Sequence, residues 1–66
     1  MQKKIRQQYE VEYTDDRGDV LVIESGEFGD IHVGITVSGT QYIENESDAL
    51  DISDNIMRLL REEPPV

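Results

Sequence analysis

Residues 5 to 25 read IRQQYEVEYTDDRGDVLVIES, and the whole architecture hangs on this run. Ile5, Gln7, Tyr9, Val11 and Tyr13 alternate with Arg6, Gln8, Glu10 and Glu12. A period of two, with β-branched and aromatic residues on one side, predicts a half-buried strand from Ile5 to Tyr13. Asp15-Asp16-Arg17-Gly18-Asp19 then forms a turn in which Gly18 supplies the left-handed conformation of a hairpin loop. The return strand, Val20 to Ser25, is apolar on both sides over Val20-Leu21-Val22-Ile23. Successive strand side chains point to opposite faces, so a helix on one face leaves either Val20 with Val22 or Leu21 with Ile23 for a second subunit or a partner. Val20 and Val22 are the candidate dimer face.

Outward from this hairpin, Gly26 to Asp30 predicts a turn, and Ile31 to Ser38 alternates again. Ile31, Val33, Ile35 and Val37 face inward there, and His32, Gly34, Thr36 and Ser38 outward. Ser38-Gly39-Thr40 turns the chain into a short fourth strand from Gln41 to Glu44. Asn45 or Ser47 then caps a helix whose first turn carries Glu46 and Asp48, acids that suit its positive end. Ala49, Ile52, Ile56, Leu59 and Leu60 recur at spacings of three and four, with Leu50 and Met57 widening the stripe. Asp51, Asp54, Asn55, Arg58 and Arg61 take the opposite face, and Pro64 and Pro65 stop the helix at about Glu62 or Glu63. The expected fold is therefore α+β, a four-stranded antiparallel β-meander with one C-terminal helix across one face. Residues 1–66 form one domain in this reading, with 1–4 and 63–66 as frayed tails.

A chain of 66 residues buries only about 60% of the surface its unfolded form exposes, so its stability is marginal. Small domains lean on disulfides, a structural metal or a partner subunit. The chain has no cysteine and one histidine, which removes disulfides and thiolate or imidazole zinc sites. A second subunit or a binding partner is the remaining support. No apolar run approaches the about 20 residues that cross a bilayer, and the basic start (Lys3, Lys4, Arg6) has no apolar segment after it. A soluble cytoplasmic protein that does not touch membranes is expected.

The formal net charge is -9, and between Gln7 and Met57 thirteen acids face one base, Arg17. Such a surface repels phosphate backbones and attracts basic ones, which argues against direct nucleic-acid binding. The chain resembles, in size, acidity and lack of cysteine, the small acidic proteins that phages and mobile elements use to disarm host nucleases and other nucleic-acid enzymes. That resemblance implies an inhibitor that occupies a basic, nucleic-acid-binding surface of another protein. Glu44, Glu46, Asp48, Asp51 and Asp54 are candidate contacts, with helical steps of about 4.5 Å between the three aspartates, and so are Asp15, Asp16 and Asp19.

The remaining motifs have plainer readings. Arg17-Gly18-Asp19 spells an integrin-binding tripeptide, yet a turn using Gly18 for its geometry accounts for it. Neither aspartate group matches a calcium loop, in which acids alternate before a glycine and a distant Glu follows. His32 is accompanied by no nucleophile motif. Tyr9 and Tyr13 suit the core, and Tyr42 suits either core or an exposed contact. The chain is thus expected to be a binding or inhibitor protein without catalytic residues, metal or cofactor, and a self-associating module is the alternative.

Overall fold

In the computed structural model, which describes residues 1–26 and 32–66, four strands form one antiparallel sheet and a single helix lies on it. The strands are β1 (Gln2–Gln7), β2 (Glu10–Thr14), β3 (Val20–Ser25) and β4 (Val33–Val37), side by side in that order, followed by α1 (Glu46–Leu60). This is the expected α+β meander with a C-terminal helix. The start of the third strand at Ile31 and most of the turn expected over Gly26 to Asp30 lie outside the described residues.

The strands are not cut where alternation places them. The run from Ile5 to Tyr13 is not one strand but two, joined at Gln8 and Tyr9, with a bulge between Ile5 and Gln7. The reason lies in parity. Ile5 pairs with Val11 and Lys3 with Tyr13, so these odd residues share one face in both arms, and the bulge that sets Gln7 opposite Glu10 falls only at the turn. Gln8 and Tyr9 carry none of the glycine, asparagine or aspartate signals that mark a hairpin, and neither has a positive φ. The expected strand from Gln41 to Glu44 is irregular, and this segment links β4 to the helix. Gly18 does adopt the left-handed φ, +86°, that its turn requires.

The core is Val11, Tyr13, Leu21 and Ile23 from the two central strands, with Ile52 and Leu59 from the helix. These four strand residues are cross-strand partners, Val11 with Ile23 and Tyr13 with Leu21, so the helix covers the face they share. Val20 and Val22 are half-buried on the other face, where Val22 sits between Glu12 and Thr36.

The helix is held differently from its apolar periodicity. Its buried residues are Ile52, Asn55 and Leu59, whereas Leu60, expected as an anchor, is exposed and Ile56 is only partly covered. Asn55, expected on the solvent face, is 1% exposed. Ile5 and Ile35, expected inward, are exposed on the helix side of the two edge strands. Asn45 is the N-cap: its Oδ1 accepts from Asp48 N at 2.8 Å, and its Nδ2 donates to Asp48 Oδ2 at 2.9 Å. The C-terminus closes with Glu62 N donating to Leu59 O and Glu63 N to Arg58 O, around a left-handed Glu62 at φ 60°.

Both ends of the chain have defined contacts. Gln2, Lys3 and Lys4 pair with β2. Val66 N donates to Asn55 Oδ1 at 2.9 Å and Asn55 Nδ2 donates to Val66 O at 3.1 Å, with Pro65 buried beside them.

Leu59→Ala should lower the unfolding free energy by about 2–4 kcal/mol, the range for a buried leucine, while Leu50→Ala, at a site 61% exposed, should stay within about 0.5 kcal/mol of wild type. Urea titration followed by circular dichroism reads both values, and equal losses would mean that the helix faces the sheet differently.

Candidate functional site

Two of the acidic segments meet at one end of the sheet. The turn between β2 and β3 brings Asp15, Asp16 and Arg17, the link to the helix brings Tyr42, Glu44 and Asn45, and the helix start brings Asp48; with Met1 they line a shallow cleft of about 60 Å³. Ligand pockets for small molecules run to about 300–1,000 Å³, so this is a shallow surface feature and not an enclosed binding chamber.

Asp15 organises the cleft. One carboxylate oxygen accepts from Arg17 N and Asp19 N, both at 2.9 Å, and the other accepts from Tyr42 N at 3.4 Å. The turn and the linker, 27 residues apart, are thereby tied to one side chain. Burial works against ionisation of Asp15, but these three backbone donors and the Arg17 charge outweigh it and hold the carboxyl below its usual range. Arg17, the base of this region, places its guanidinium 4.7 Å from the centre of the Tyr42 ring.

The expected contact residues divide into three groups. Asp15, Asp16, Glu44 and Asp48 come together in the cleft. Asp19 belongs to the same turn, and Glu46 lies exposed on the helix start between Glu44 and Asp48. Asp51 and Asp54 are directed elsewhere, because each step of three residues rotates the side chain by about 60° around a helix. The three helical aspartates therefore fan out and do not form a phosphate-like row.

Asp51 is moreover engaged internally. It accepts from Lys3 Nζ at 2.9 Å and from the Tyr13 hydroxyl at 2.6 Å, and Asn55 Nδ2 donates to that same hydroxyl at 2.7 Å. Burial opposes ionisation of Asp51, and the bonds from Tyr13 and Lys3, with the Lys3 charge, outweigh it and lower its pKa. The Tyr13 hydroxyl is pushed far above its ordinary value by burial and by its bond to Asp51, so it stays protonated.

Asp15's role, the Arg17–Tyr42 contact and the burial of Asn55 are invisible in the sequence, since each depends on which elements meet. The signal for Asn45 was present in the capping pattern. Among the described residues no three His, Cys, Asp or Glu side chains are placed to hold a metal ion, and no described helix is long and apolar enough to cross a membrane.

Tyr13→Phe should cost about 1–3 kcal/mol, because it leaves the Asn55 amide and the Asp51 carboxylate short of a partner in a buried setting; a thermal melt unchanged from wild type would show that water replaces the hydroxyl. A pH series tests the carboxyls. Asp51 titrates lower in the folded chain than in the unfolded one, where a carboxyl titrates at about 3.9. Its contribution is therefore complete above that value and is lost as pH falls through the depressed folded value. The gap in urea midpoint between wild type and Asp51→Asn should be widest at neutral pH and shrink below about pH 4; a gap independent of pH would assign the effect to packing and not to charge.

No family model matches this chain, and neither a curated protein nor a solved structure does.

Proposed function

We propose that the protein is a non-enzymatic, cytoplasmic binding protein whose acidic end engages a basic surface of a partner protein and blocks that surface. One observation supports this most: the fold gathers Asp15, Asp16, Glu44 and Asp48 from two distant segments around one cleft within a chain of net charge -9. Concentrated carboxylates steer a basic partner into encounter and fix its orientation. The reading needs no cofactor and no chemistry, and the resemblance to small acidic inhibitors of nucleic-acid enzymes points the same way. Docking on a basic surface is preferred to close imitation of a phosphate row, because Asp51, the middle carboxylate of the helical series, is bound by Lys3 and Tyr13.

The test compares two variants of equal charge. One carries Asp16→Asn, Glu44→Gln and Glu46→Gln at the cleft; the other carries Glu24→Gln, Asp54→Asn and Glu62→Gln away from it. Immobilised wild type is expected to retain basic proteins from an extract of its source cells at low salt and to release them at high salt. The cleft variant should lose them and the control should keep most of them. Equal retention by both variants would refute a localised acidic site and leave the charge as a solubility device.

A further inference from the structure

The two edges of the sheet are treated in opposite ways. On β1, Lys3, Lys4 and Arg6 place the kind of charge that discourages another strand from pairing. On β4 the sequence is Val33-Gly34-Ile35-Thr36-Val37, with neither charge nor proline, and among the described residues no strand pairs with its outer edge. Gly26 N donates to His32 O and Ser38 N to Val20 O, so the even-numbered residues of β4 bond inward to β3. By the alternation of an antiparallel ladder, Val33, Ile35 and Val37 direct their backbone N–H and C=O groups to the open side.

The same three residues place their side chains on the helix face, since Ile35 pairs with Ile23 and Val37 with Leu21. Val33 packs against the core, whereas Ile35 and Val37 stay open although the helix lies over β3 and β4. The opposite flank of the helix from Asp51, which carries Ile56 and Leu60, is turned toward β4. Ile35, Val37 and Leu60 remain 52%, 44% and 44% exposed. These three side chains add an apolar patch alongside the open backbone edge of β4.

We infer that this edge is a dimer interface in which β4 of one copy pairs antiparallel with β4 of a second copy. Three features select a second copy as the occupant. The strand is self-complementary about Ile35: Val33 meets the partner's Val37, Ile35 meets the partner's Ile35, and all the apolar side chains fall on one face, as a two-fold interface demands. In a chain of net charge -9, this strand brings no carboxylate against its copy. A 66-residue domain without cysteine also gains the support that such chains take from a second subunit. The pairing makes a continuous eight-stranded sheet with both helices on one face, and it brings Ile56 and Leu60 toward their copies. It leaves the acidic cleft free and does not depend on the function proposed above.

Multi-angle light scattering on the full chain at high micromolar concentration should give twice the monomer mass. The dimer should tighten as salt rises, because two acidic chains repel each other less when screened; partner capture at the cleft weakens with salt, so the two ideas fail separately. Ile35→Lys should raise the dimer dissociation constant by at least about tenfold, with circular dichroism confirming an intact fold. As the chain has no cysteine, Ile35→Cys should oxidise to a covalent dimer, since directly opposed residues lie within disulfide reach, and Val22→Cys on the outer face should not. A monomeric wild type, or cross-linking through Val22→Cys alone, would overturn the proposal.

Discussion

The hydroxyl of Tyr13 decides how the helix sits. Tyr13 lies on a central strand with its ring in the core, and a buried hydroxyl without partners costs about as much as a lost hydrogen bond. Asp51 and Asn55, one helical turn apart, meet that need from above, and Asn55 in turn binds both backbone groups of Val66. Lys3, the cross-strand neighbour of Tyr13, neutralises Asp51. One polar cluster thus joins β1, β2, the helix and the end of the chain, which ordinarily would be four separate packing problems.

Satisfying this cluster has a geometric cost. The apolar stripe of the helix is centred near Ile56 and Leu60, yet the surface against the sheet is centred on Ile52, Asn55 and Leu59. The helix is rolled toward its polar flank, which leaves Leu60 exposed.

The fold class, the β2–β3 turn with its left-handed Gly18, β3 and the helix were legible in the sequence because each has a local cause: alternation, a glycine at a tight turn, a cap and a helical period. The β1–β2 hairpin was not, because Lys3 and Ile5 keep the parity of Tyr13 and Val11, the bulge comes only at the turn, and the turn residues, Gln8 and Tyr9, carry no conformational signature. Asn55 was misplaced for a related reason: periodicity sorts residues by hydrophobicity, and the partner that draws Asn55 inward is 42 residues away. The candidate site was half legible. Composition marks out the acidic segments, but only the fold says that Asp15 and Asp48 adjoin while Asp51 faces inward.

These acids are not a uniform coat. Asp15 ties the turn to the linker, Asp48 closes the helix cap and Asp51 anchors the polar cluster, so three carboxylates in the two segments first marked for binding have structural work. Replacing them would change the fold as well as the field, and a loss of binding would then say nothing about recognition. The carboxylates less engaged in the fold are the neighbours of these structural ones: Asp16 on the turn, whose ion pair with the Met1 amine spans 3.9 Å, and Glu44 and Glu46 at the approach to the helix. They are held in place by Asp15 and by the Asn45 cap without taking part in either. A surface of this kind has its geometry set by one group of acids and its potential by another, which is how a domain of this size can carry so much charge at one end and still hold a defined shape.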